Sequence, residues 1–110
     1  MRTVDEIYKS IAQGIADNLS DSWERAWIHT HVVEDAAGVD GEYTRPGEKD
    51  VHYFEVDDQA LDDFEELHEI TTEGGSNPWN RAKFTLEPSG RFSIDFEWDQ
   101  QLEDEIKANS

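Results

Sequence analysis

Apolar residues recur at every third and fourth position near the start of the chain: Val4, Ile7, Tyr8, Ile11, Ile15 and Leu19. That period predicts a helix with one buried stripe. Thr3-Val4-Asp5-Glu6 reads as its capping box, in which hydroxyl and carboxylate each satisfy an orphan helix N–H. Gly14 weakens the helix modestly, and residues 18–22 end it. The period then drops to two. Trp23 to Asp35 alternates and is rich in Trp, Ile, Val and Thr, which predicts a strand. Ala26, Ile28, Thr30 and Val32 share one of its faces; Trp23, Arg25, Trp27, His29, His31 and Val33 share the other. Ala36 to Glu42, with Gly38, Asp40 and Gly41, reads as a turn. Tyr43-Thr44-Arg45 starts a returning strand interrupted at Pro46-Gly47, and Val51 to Val56 is its clearer half.

Asp57 or Asp58 caps a second helix running to about Thr72, with Leu61, Phe64, Leu67, His68 and Thr71 on its inner stripe. A loop over residues 73–78 leads to the plainest pattern in the chain. Phe84, Leu86, Phe92, Ile94, Phe96 and Trp98 all have even numbers, and Lys83, Thr85, Glu87, Arg91, Ser93, Asp95 and Glu97 between them are polar. With Pro88-Ser89-Gly90 in the middle, this is an antiparallel hairpin with one buried and one wet face. Asp99 caps a short last helix through Ile106. The expected fold is a single α+β domain over residues 1–110, of order α-β-β-α-β-β with a short C-terminal helix. Its helices pack on an antiparallel sheet.

Charge narrows what such a domain can meet. Twenty-seven Asp and Glu oppose nine Lys and Arg, a formal charge of −18 on 110 residues. The field repels nucleic acid and anionic membrane, and it steers basic partners inward. Salt adaptation also produces acidic, Lys-poor chains, but it spreads the acids evenly. Aromatic residues are too frequent for a disordered acidic tail. Cysteine is absent, which excludes disulfides, thiolate metal sites and Cys nucleophiles and suits a reducing cytoplasm. Residues 1–20 hold no apolar signal core, and no apolar run is long enough to span a bilayer.

Catalytic motifs are missing: no glycine-rich phosphate loop, nucleophile elbow or zinc-protease helix occurs. His29-Thr30-His31 has a spacing able to chelate a metal, but a third ligand has to be assumed, and ordinary strand side chains are the simpler reading. No enzyme activity, cofactor or metal is therefore expected. Trp23, Trp27 and Trp79 read first as packing residues. Acid clustering is the stronger feature. Glu55, Asp57, Asp58, Asp62, Asp63, Glu65, Glu66 and Glu69 crowd the second helix, with Asp58, Asp62, Glu65, Glu66 and Glu69 spaced by three and four outside its apolar stripe. Like charges so placed destabilise a helix by about 0.2–0.5 kcal/mol per pair. Composition alone leaves a solvated face and a binding face both open.

The stretch from Asn77-Pro78-Trp79 through Phe84-Thr85-Leu86, Gly90 and Phe92-Ser93-Ile94-Asp95-Phe96 resembles the YezG-like antitoxins. In that bacterial family a Pro-Trp loop leads into a Phe-Thr-Leu strand, and a Gly turn into a Phe-x-Ile-Asp-Phe strand. Helix 1 followed by Ser22-Trp23-Glu24-Arg25-Ala26-Trp27 is similar to the family's opening. After Trp98 the chain departs, with the polar run Asp99 to Lys107 where the family continues apolar and aromatic. The resemblance implies a cytoplasmic immunity protein that neutralises a cognate secreted toxin by binding it. Several toxins of that kind carry nuclease domains, and a basic phosphate cleft would suit an acidic helix. The residues expected to bind are Asp58, Asp62, Glu65, Glu66 and Glu69, with Asp57 and Asp63 at the margin. Asp95 and Glu97 on the wet hairpin face are the second choice. A chaperone or regulator of another basic protein is the alternative.

Overall fold

A computed structural model describes residues 2–19, 22–33, 36–75 and 78–108. Ser20, Asp21, Glu34, Asp35, Ser76 and Asn77, which belong to the expected first-helix end, first strand and Pro-Trp loop, lie outside the described residues. Helix α1 spans Val4–Asn18 and opens on the expected box: Thr3 Oγ1 accepts from the Glu6 amide at 3.2 Å, and the Glu6 carboxylate accepts from the Thr3 amide at 3.3 Å. Its buried residues are Ile7, Ile11 and Ile15, one per turn.

Strands β1 (Arg25–Val33), β2 (Ala36–Thr44), β3 (Val51–Phe54), β4 (Arg81–Leu86) and β5 (Phe92–Glu97) form one antiparallel sheet in the order β3-β2-β1-β4-β5. Helix α2 (Asp58–Thr71) connects β3 to β4, and α3 (Gln100–Ala108) follows β5. The α+β class and the layered order are as the patterning predicts. The segment Ala36 to Glu42 is a correction. It is strand, so the sheet has five strands, and the expected turn residues pair directly with β1, Gly38 against His31 and Gly41 against Ile28. Both glycines have a steric role. A Cβ on Gly38 would collide with the His31 ring, and one on Gly41 would lie 2.8 Å from the Phe54 ring. Large rings on the flanking strands occupy the space these glycines leave, a use of glycine inside a sheet. The interruption at Pro46-Gly47 is the real turn: the Glu48 amide donates to Arg45 O at 3.1 Å, and Gly47 has a φ of 78°. Beyond it, Val51 to Phe54 folds back on β2 as a strand of its own.

Alternation sorts the sheet into two faces. Ala26, Ile28, Thr30 and Val32 of β1, Tyr43 of β2, and Ala82, Phe84 and Leu86 of β4 are buried in one cluster with Ile7, Ile11, Ile15, Ala60, Phe64 and Leu67 of the helices. Both helices therefore lie on this inner face. Thr30, the polar member of the β1 set, donates its hydroxyl to Gly38 O at 2.8 Å. The opposite face bears Trp27, His29, Glu42, Tyr53, Lys83, Asp95 and Glu97. Trp79 plugs the seam where α2 meets β4. It is buried, its indole N–H donates to Thr71 Oγ1 at 2.8 Å, and its carbonyl lies 2.9 Å from His68 Nε2. Among the described residues, no helix is long and apolar enough to cross a membrane.

Candidate functional site

Helix α2 carries six acids, Asp58, Asp62, Asp63, Glu65, Glu66 and Glu69, and no Lys or Arg. Asp57 is its N-cap, and its carboxylate accepts from the Ala60 amide at 3.1 Å. The apolar stripe faces the sheet, so position on the helix decides which carboxylates meet solvent. Asp58, Asp62, Glu65 and Glu69 are exposed, and Asp57 is exposed beside them. Asp5, Glu6 and Asp17 of α1 add to the same helical layer, where Lys9 is the one exposed base among the described residues of the two helices.

Two expected residues prove structural. Asp63 is 0% exposed, and it is corrected here from the margin of the binding face to the interior. Its carboxylate accepts the Ser10 hydroxyl at 2.7 Å and the Gln59 amide at 3.0 Å, and it lies 2.6 Å from an Arg2 guanidinium nitrogen. Helical period accounts for this, because Asp63 sits three residues after buried Ala60 and four before buried Leu67. Glu66 is half-buried beside it. Arg2 reaches it through Nε at 3.1 Å, a guanidinium nitrogen at 2.7 Å and its backbone amide at 3.2 Å. These hydrogen bonds hold the Glu66 carboxyl below the ordinary glutamate range. Arg2, Ser10 and Gln59 thus form a clamp binding the chain start and α1 to α2. Sequence reasoning missed it, although Asp63 on the inner stripe was a usable sign of a buried partner.

The sheet's outer face has different electrostatics. Lys83 lies directly across from Asp95, and Arg81 from Glu97, so the second-choice acids each have a cation as cross-strand neighbour. Arg81 also donates to the Asp99 carboxylate at 2.7 Å, which holds Asp99 below the ordinary aspartate range. His29 bonds Glu42 at 2.7 Å, and the His31 ring packs over Gly38. Among the described residues, no group of three His, Asp or Glu side chains could hold a metal ion. Helix α2 carries no Lys or Arg, and Lys9 is the one exposed base beside it on α1, whereas the sheet face alternates sign. The exposed negative charge of the domain is therefore densest along α2.

The chain matches a family described as YezG-like immunity proteins over residues 4–110. Two curated relatives resemble it. Immunity protein YezG of Bacillus spizizenii is 24% identical over 119 residues, covering 94% of this chain and 74% of the relative. The type VII secretion system protein EsaG of Staphylococcus aureus is 24% identical over 110 residues, covering 86% of this chain and 68% of the relative. An acidic helical face above a five-stranded sheet, in a chain matched along nearly its whole length, belongs to the YezG-like family of immunity proteins.

Proposed function

We propose that this protein acts in the cytoplasm as a non-catalytic inhibitor, and that its acidic α2 face docks on the basic cleft of a cognate toxin of the nuclease class. The observation carrying this reading is the exposed row Asp58, Asp62, Glu65 and Glu69 on a helix without a single Lys or Arg. The row climbs by four, three and four residues, about 4.5–6 Å of rise per step. It is a rod of negative charge that a phosphate-binding cleft would accept in place of substrate. A merely solvated helix would intersperse bases to relieve the repulsion between its own acids. The uneven distribution of acids also weighs against salt adaptation as the whole explanation. Arg2 ties the helix to the start of the chain through Asp63 and Glu66, so the backbone of the face is already in place before docking.

The test is the triple variant Asp62→Lys, Glu65→Lys, Glu69→Lys, which leaves the clamp residues Asp63 and Glu66 intact. Stopped-flow association with the C-terminal domain of a cognate toxin should slow by about tenfold or more, and its salt dependence should flatten. Unchanged association kinetics in a variant with native circular dichroism would refute the α2 assignment.

A further inference from the structure

β5 is the edge of the sheet and is longer than β3, the four-residue strand at the other edge. It has no Lys, no Pro and no bulge between its Arg81–Glu97 and Leu86–Phe92 pairings, so Asp95 and Glu97 are its guards against strand addition. The Glu87 amide donates to Arg91 O at 2.9 Å, so odd-numbered residues bond toward β4. Alternation then points the backbone N–H and C=O groups of Phe92, Ile94 and Phe96 outward. Among the described residues, no loop or helix backbone bonds to them. On the inner face the helices cover this strand only in part: Tyr8 of α1 reaches Phe92 at 5.5 Å, and Ile94 packs against the core. Phe92 is 38% exposed, Phe96 42% and Trp98 45%.

We propose that β5 pairs with β5 of a second copy, antiparallel about a two-fold axis at Ile94, to give a continuous ten-stranded sheet. The register is selected by the side chains. With Ile94 opposite its own copy, Phe92 meets Phe96 on the inner face, and each Trp98 lies over Gly90, where a Cβ would find no atom within 4 Å. On the outer face Arg91 meets Glu97, and Ser93 meets Asp95. Every residue from 90 to 98 has a counterpart, and the outward backbone groups of Phe92, Ile94 and Phe96 fall opposite one another. Centring on Asp95 instead would set two carboxylates face to face. Centring on Ser93 would leave Glu97 and Trp98 opposite the turn residues Ser89 and Pro88. The pairing uses no carboxylate of α2, so two acidic faces remain free on the dimer.

Light scattering on the full chain tests the pairing. The wild type should weigh two chains at micromolar concentration. Arg91→Glu and Glu97→Arg should each weaken the dimer by about tenfold or more, since each replaces two ion pairs by two like-charge contacts. The double variant Arg91→Glu, Glu97→Arg should restore it, an outcome that general destabilisation cannot produce. The cysteine-free background offers a second readout. Opposed residues in such a pair have Cα atoms about 4.5 Å apart, within disulfide range. A mixture of Ser93→Cys and Asp95→Cys chains should cross-link under oxidation, and neither alone should. A wild type that remains a single chain up to millimolar concentration overturns the proposal. So does a dimer indifferent to both charge reversals, or β5 amides that gain exchange protection only when a toxin is added.

Discussion

β4 and β5 are partners residue for residue, from Arg81 opposite Glu97 to Leu86 opposite Phe92, yet their apolar faces have different fates. Phe84 is 0% exposed, with the Tyr8 ring 6.4 Å away and the Phe92 ring stacked at 5.3 Å. One strand further out, Phe92 has the Tyr8 and Phe84 rings beside it yet stays 38% exposed, and Phe96, with the Trp79 ring at 5.0 Å, is 42% exposed. Two helices cover a strip of sheet about 20 Å wide, since neighbouring helices pack 8–10 Å apart. Five strands at about 4.8 Å spacing place the outer strand axes about 19 Å apart, so the strands at the two edges fall at the margins of that strip. Burial in this sheet is therefore set by lateral distance from α1 and α2, while alternation sets only the face.

The comparison breaks first at its buried member. Phe84→Ala should cost about 3–5 kcal/mol in chemical denaturation, because it empties a site that neighbours on all sides enclose. Phe96→Ala removes the same ring from a half-covered position and should cost roughly 1–2 kcal/mol in the isolated chain. Equal losses for the two would show that β5 is as well covered as β4. The smallest effect lies at the base of β5, where Asp99 bonds Arg81, and at the Arg2–Glu66 clamp. Both carboxyls have native values below their unfolded ones, about 3.9 for Asp and 4.3 for Glu. Their contribution is present in full above those unfolded values and fades as pH falls through the lower native ones. Asp99→Asn and Glu66→Gln should each reduce stability at neutral pH and flatten its decline in acid. Parallel acid-unfolding curves for wild type and variants would contradict this.

Much of the architecture was legible because it depends on period. The capping box at Thr3, the Ile7-Ile11-Ile15 stripe, the inner face of β1 and the even-numbered hairpin residues all follow from local spacing. β2 was illegible because its glycines answer to rings in other strands. Nothing within Ala36 to Glu42 announces that His31 and Phe54 need the space above Gly38 and Gly41. The acidic site was legible in outline only. Charge singled out α2, but separating Asp62 from Asp63 requires knowing that Arg2 and Ser10 converge on the inner carboxylate. Exposure at β5 depends on where two helices end laterally, a property of the assembled layers that no strand encodes.

Asn80 grips the backbone of one residue from both sides: its side-chain N–H donates to Asp99 O at 2.8 Å, and its side-chain oxygen accepts from the Asp99 amide at 2.7 Å. Helix α3 has no buried residue, so its root is fastened more firmly than its length. Asn80 adjoins Trp79, whose indole and carbonyl are both in contact with α2 at Thr71 and His68. The root of α3 is thereby tied, through one asparagine and one tryptophan, to the C-terminal turn of the acidic helix.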